Sequence, residues 1–297
     1  MLPPALVTTA ETQSQDRSTE ARDWVPVLFA LAAAIAAYWP ILTGMWGSWF
    51  DDKADMGHGM IVPLAAAYMT STKWPTMRSL TARPSRWGGL LVVAAGVMAV
   101  IGGAAQWLWC ARIAFVVATV GCVIGVRGWA TARALAYPLG TLLLMVAPPT
   151  FVYERLTLPL QLLASRLGEI SLEVIGISVL REGNVLELAN EKLSVEEACS
   201  GIRALIALIF MCVLYNYFFV VEGWMRAVML ALVAPIAIVG NAFRILATGV
   251  VSTVNSELAH GALHDVFGYL SVTVAALLCV LLHVCLVQIR KRRLQLA

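Results

Sequence analysis

The run "RAVMLALVAPIAIVGNAFRILATGV", residues 226–250, decides the architecture of this chain. Between Arg226 at its first position and Arg244 near its far end, no residue carries a charge. As a helix it rises about 37 Å, enough to cross a hydrocarbon core of roughly 30 Å. Similar apolar runs recur at about 24–47, 57–73, 87–106, 110–126, 134–150, 199–221 and 265–289, which predicts eight spans. The 297 residues are 60% hydrophobic and 13% charged, against about 25% charged in soluble domains. These features predict an all-α polytopic membrane protein of about eight transmembrane helices. Trp24, Trp46, Trp49, Trp74, Trp87, Trp107, Trp109 and Trp224 stand near span ends, where amphipathic rings favour the headgroup region.

Orientation follows from lysine and arginine. With the N-terminus inside, 13 of the 21 basic residues fall on the cytoplasmic side: Arg17, Arg22, Lys73, Arg78, Arg83, Arg86, Arg127, Arg133, Arg226, Arg290, Lys291, Arg292 and Arg293. Lys53, Arg112, Arg155, Arg166, Arg181 and Lys192 fall outside, while Arg203 and Arg244 lie within spans. The excess favours both termini inside, and an even span count agrees. The expected layout is a polar cytoplasmic tail at 1–23, a single transmembrane catalytic domain at 24–289 and a basic cytoplasmic tail at 290–297. The polar, acid-containing first 23 residues precede a long run without a cleavage site, so the first span is read as retained. The net charge of +3 is a topology signal and implies no nucleic-acid partner; the expected surroundings are a lipid bilayer.

Residues 151–198 interrupt the pattern and read as an insertion on the outer face. Glu154, Arg155, Arg166, Glu169 and Glu173 are too many charges for an easy span, so 152–178 is expected as a surface helix. Then "ISVLREGNVLELANEKLSVEEA", residues 177–198, alternates apolar and polar residues around turn signals at "EGN" and "ANE". It predicts a small β-hairpin or meander on the outer face, leading into Cys199.

Cys199 opens the sixth span at its outer end, Arg244 lies near the outer end of the seventh, and His260 and His264 precede the eighth. Three reactive residue types thus arrive at one depth from three consecutive spans. A thiol at a helix N-terminus is favoured as thiolate by unpaired N–H groups and the helix dipole. Arg203, four residues on, shares that helix face; Ser200 and Gly201 leave room for a substrate backbone; Glu197, with Glu196, needs a basic partner beside a thiolate. Arg244 in hydrocarbon is costly enough to indicate a polar cavity, and Asn241 one turn earlier can orient it. His264 can act as base and acid, with His260 as its rival, and His58 in "MGHGMIVP" can line the same cavity. "HGALH" also has metal-ligand spacing, but no HExxH accompanies it, and no metal or cofactor is expected. The other five cysteines, Cys110, Cys122, Cys212, Cys279 and Cys285, read as packing residues, and His283 as a satisfied helix contact. From the residues alone two classes stay open. One is a membrane cysteine hydrolase or transferase; the other is a non-enzymatic component, such as a small transporter or a subunit of exopolysaccharide export. A metal-dependent intramembrane protease using His260 and His264 is a further rival.

The blocks "VEEACSGIRAL" (195–205), "NAFRI" (241–245) and "HGALHDVFG" (260–268), in that order, resemble the exosortase/archaeosortase family of membrane cysteine transpeptidases. Upstream, "MGHGMIVPL" (56–64) and "GISVLREGNVLEL" (176–188) fit the bacterial exosortase pattern. The resemblance implies Cys199 as nucleophile, Arg244 as essential arginine and His264 as third catalytic member, with His260 competing for that place. It also implies membrane-anchored substrate proteins bearing a C-terminal PEP-CTERM-type signal, cleavage near the motif, and transfer to an acceptor that the sequence leaves open. The implied location is the bacterial inner membrane, with the site facing the periplasm.

Overall fold

The computed structural model describes residues 24–50, 56–189, 192–194, 201–254 and 262–296, with backbone only at 150, 153–154, 201–203, 262–265 and 296. The chain divides into two compact units, Met1–Ala147 and Pro148–Ala297.

The N-terminal unit begins with helices α1 (Trp24–Ala37) and α2 (Trp39–Phe50), bent by 69° at their junction. Pro40 accounts for the bend: it lacks an N–H and its ring crowds the carbonyl four residues back. After a 3₁₀ turn at Gly57–Met60 come α3 (Ile61–Thr72) and α4 (Trp74–Ser79). Helices α5 (Arg86–Ala104) and α6 (Leu108–Arg127) then form an antiparallel hairpin. Their seam is built of small residues: Gly88, Ala95 and Gly102, seven apart on α5, are buried, as are Ala111, Ala114, Ala118 and Gly121 on α6. A Cβ on Gly88 would lie 2.0 Å from the Gly125 amide nitrogen, so the two backbones touch there. The unit ends with α7 (Trp129–Ala134), α8 (Ala136–Thr141) and a 3₁₀ turn at Leu142–Met145.

The C-terminal unit holds α9 (Thr150–Val174), strands β1 (Val179–Glu182), β2 (Val185–Leu188) and β3 (Lys192–Ser194), and helices α10 (Gly201–Phe219), α11 (Gly223–Val254) and α12 (Ala262–Leu296). The strands form an antiparallel meander in the order β1-β2-β3, with Val179 opposite Leu188 and Leu186 opposite Leu193. Glu187 and Lys192 face each other across the second pair as an ion pair, and that bond pushes the Lys192 ammonium pKa upward. Helices α10, α11 and α12 share a core that includes Leu208, Cys212, Met229, Val233, Ala275 and Cys279.

The membrane-protein class expected from the sequence holds, but eight uninterrupted spans do not appear. Among the described residues four helices are long and apolar enough to cross: Arg86–Ala104, Leu108–Arg127, Gly223–Val254 and Val266–Gln295. The bent α1–α2 pair makes five if counted as one span. The second expected span, 57–73, becomes a 3₁₀ turn and the short α3, which rises only about 18 Å. The fifth, 134–150, forms only a short apolar helix, Ala136–Met145, in which α8 continues as a 3₁₀ turn. The sixth has its apolar helix at Ala204–Phe219, also short. Hydropathy registers the apolar length of a run and is blind to where its helix begins and ends.

The helix expected at 152–178 spans Thr150–Val174 and packs lengthwise on α11. A Cβ on Gly168 would meet Ile245, and one on Gly249 would meet Leu172, so the two helices run in the same direction. The expected hairpin is extended by β3. Leu186, Leu188 and Leu193 of the meander bury with Ala164, Leu172 and Ile245, which seals the sheet onto α9 and the far half of α11. Arg181 of β1 reaches back to Glu169 of α9 at 2.7 Å.

Candidate functional site

Helix α11 carries a polar stripe inside its apolar run: Asn241, Arg244, Thr248 and Ser252, spaced three and four apart and therefore on neighbouring faces. Asn241, Thr248 and Ser252 are buried, and Arg244 is half-buried. Ser252 donates its hydroxyl to the Gly249 carbonyl. The Thr248 hydroxyl has no hydrogen-bond partner among the described residues. Thr248 and Ser252 were not singled out from the sequence, although their spacing from Arg244 is a legible signal.

The Arg244 guanidinium lies against the last helix. A Cβ placed on Gly268 would be 3.6 Å from its Cζ and Nη2 and 3.9 Å from its Nη1. One turn back, a Cβ on Gly240 would be 3.0 Å from the Ser271 carbonyl and 3.1 Å from the Ala275 methyl. Helices α11 and α12 are therefore antiparallel, with residue 244 level with 268 and residue 240 level with 271–275. In that register His264, whose backbone lies in the first turns of α12, is level with Thr248. Gly268 leaves that space open: a Cβ there would make ordinary van der Waals contact with the guanidinium, and only a longer side chain would take its place.

The start of α10 meets the same region. Leu205 of α10 and Asn241 of α11 line one small cleft with Leu160 and Ala164 of α9. Since α10 runs opposite to α11 and Asn216 donates to the Arg226 carbonyl, fifteen residues back from Asn216 corresponds to fifteen residues on from Arg226. Gly201 is thus about level with Asn241, one turn before Arg244. Ile245 is fully buried under the sheet, in the cluster that holds Leu193 near the end of β3. Leu193 and Gly201 therefore lie within about one turn of each other along α11.

The candidate residues are unevenly described. Asn241 and Arg244 are placed with their side chains; Gly201 and Arg203 lie in the first turn of α10, and His264 in the first turn of α12, by backbone. Cys199, Ser200, Glu197 and His260 lie outside the described residues. His58 belongs to the N-terminal unit, in the 3₁₀ turn at Gly57–Met60, where its ring hydrogen-bonds to the Leu144 backbone. His283 is a satisfied helix contact: its Nδ1 is 2.9 Å from the Tyr215 hydroxyl, with the rings edge to face. The five cysteines other than Cys199 are free thiols; Cys122, Cys212 and Cys279 are buried, and Cys212 and Cys279 hydrogen-bond to each other within the C-terminal core.

Comparison with curated proteins and with solved structures found no match. A model of the transmembrane exosortase family matches residues 46–281, about four-fifths of the chain and all three blocks quoted above. That family is one of membrane transpeptidases, in keeping with a polar stripe and an arginine set inside an apolar helix bundle. The chain therefore belongs to the transmembrane exosortase family.

Proposed function

We propose that the chain is a cysteine transpeptidase of the bacterial inner membrane that cleaves C-terminal PEP-CTERM-type sorting signals through a Cys199 thioester at its periplasmic face. The observation that supports this most directly is the approach of three helices around Arg244. Its guanidinium borders Gly268 of α12, four residues and one turn from His264, and the first turn of α10 lies about one turn from it along α11, level with Asn241. Two residues of chain, at most about 7 Å, separate Cys199 from Gly201.

In this reading the Cys199 thiolate attacks the scissile carbonyl and forms the C–S bond. The Arg244 guanidinium stabilises the oxyanion of the tetrahedral intermediate. His264, as imidazolium, gives its proton to the leaving amine as the C–N bond breaks, and the membrane-anchored tail departs. An acceptor amine or hydroxyl then loses its proton to His264 and attacks the thioester, which releases the thiolate. Asn241, buried one turn before Arg244, and Arg203, four residues after Cys199, are supporting groups in this scheme. Substrates are membrane-anchored proteins, because a signal helix lying in the bilayer brings its scissile bond to the interface where α10 begins.

The test is co-expression with an epitope-tagged PEP-CTERM protein. Wild type is expected to convert the precursor to a shorter product, and Cys199→Ala to accumulate uncleaved precursor at equal membrane abundance. Cleavage that persists in Cys199→Ala but stops with a chelator would replace this reading with a metal-dependent one.

A further inference from the structure

The N-terminal unit holds a half-open cavity of about 980 Å³, lined from Trp24, Trp74 and Met77 at one end to Trp49 and Met145 at the other. The polar groups on its wall are turned inward to the protein. The hydroxyls of Thr43, Thr70, Ser71 and Thr119 each donate to a carbonyl of their own helix, and Trp49 Nε1 donates to the Met145 carbonyl at 3.2 Å. The wall thus presents hydrocarbon and aromatic faces, and an occupant within it is apolar. Flexible hydrocarbon tails match such a wall.

One end of the cavity is strongly basic. Arg127 closes it: its guanidinium lies 4.1 Å above the Trp24 ring and donates to the Leu80 carbonyl at 3.0 Å, while Trp24 packs on Trp74 at 5.1 Å. The Arg83 amide donates to the Arg127 carbonyl, which brings the α4–α5 linker to the same place. The segments that converge there carry Lys73, Arg78, Arg83, Arg86, Arg127 and Arg133, against Asp23 beside Trp24, and the sequence has no Asp or Glu between residues 56 and 147. Arg78, Arg83, Arg86 and Arg133 are exposed. At the other end the basic residue among the described ones is Arg112, which is held by Ser48 Oγ at 3.2 Å.

We propose that this cavity binds the tails of an anionic phospholipid whose phosphate sits at the Trp24–Arg127 end. The bias of basic residues to one membrane side would by itself give the cations; their convergence on the mouth of an apolar cavity is what selects a bound lipid.

The test uses the full chain purified in neutral detergent, with brominated-tail phosphatidylglycerol and brominated-tail phosphatidylcholine as quenchers of tryptophan fluorescence. Trp24, Trp39, Trp46, Trp49 and Trp74, five of the ten tryptophans, line the cavity. Phosphatidylglycerol is expected to quench at lower mole fraction than phosphatidylcholine. Arg78→Gln with Arg133→Gln should weaken its affinity about 25-fold, roughly fivefold for each charge, without altering phosphatidylcholine. Ala67→Phe, which fills exposed space on the cavity wall, should reduce quenching by both. Native mass spectrometry of the wild type should show phosphatidylglycerol retained against excess phosphatidylcholine. Equal quenching by the two lipids, or phosphatidylglycerol quenching untouched by Ala67→Phe, would assign the lipid to the general annulus and overturn the proposal. None of these readouts depends on peptidase activity.

Discussion

The Arg244 guanidinium occupies the space in front of Gly268, where a Cβ would stand 3.6 Å from its Cζ. The two residues lie on different helices and belong to the short blocks "NAFRI" and "HGALHDVFG", whose sequence spacing alone says nothing of a contact. Insertion of an arginine into a span costs about 2.5–3.5 kcal/mol at the centre and less near an end, which makes Arg244 a functional candidate. Gly268 gives a handle on it.

Gly268→Ala is expected to keep processing near wild type, because a Cβ at 3.6 Å is an ordinary van der Waals contact; it should be neutral or stabilising by up to about 1 kcal/mol. Gly268→Leu displaces the guanidinium and should slow processing about as much as Arg244→Ala, on the order of 10²–10³-fold if Arg244 is an oxyanion donor. Quantifying precursor and product by immunoblot, normalised to enzyme abundance in the membrane, separates the two. Equal activity of the Ala and Leu variants would break the link.

The two histidines of α12 should separate cleanly. His283 is engaged by Tyr215, and His283→Phe is expected to cost about 0.5–1.5 kcal/mol of stability while processing continues. His264→Ala is expected to stop processing with little change in melting temperature. If His264→Ala retains activity and His260→Ala does not, the catalytic role moves to the other histidine.

The α5–α6 seam gives a stability prediction with a built-in control. A side chain on Gly88 collides with the backbone of Gly125, whereas one on Gly89 has open space. Gly88→Leu should lower stability by at least about 1–3 kcal/mol, read as a lower melting temperature in detergent; Gly89→Ala should not. A melting temperature unchanged in Gly88→Leu would mean that the hairpin is packed differently.

The sheet should matter to both stability and activity. Leu186 and Leu193 are almost fully buried against Ala164, Leu172 and Ile245. Truncating either to Ala should cost about 2–5 kcal/mol and loosen the chain that leads to Cys199, so processing falls with stability. Arg181→Ala removes a partly exposed ion pair with Glu169 and should cost less than about 1 kcal/mol.

Much of the molecule was legible in the sequence because membranes impose simple one-dimensional rules. Length and hydropathy gave the polytopic class, alternation gave the strands, and charge in an apolar run marked Arg244. The same rules overstated the span count at 57–73 and 134–150, where the apolar chain forms only short helices. They also passed over Thr248 and Ser252, whose significance comes from sharing a helix stripe with Arg244.

Chain order and composition by themselves indicated a membrane-embedded helical protein in which a cysteine, an arginine and a histidine fall in or beside successive apolar stretches, and the resemblance of three short blocks added the exosortase family. Those features depend on residue identity and on the apolar length needed to cross lipid. Only the tertiary structure decided which residues border the arginine, how the meander docks on α9 and α11, and that the N-terminal helices leave an apolar cavity with a basic mouth. Those depend on where backbones can approach, and that is fixed by small residues meeting across helices far apart in the chain.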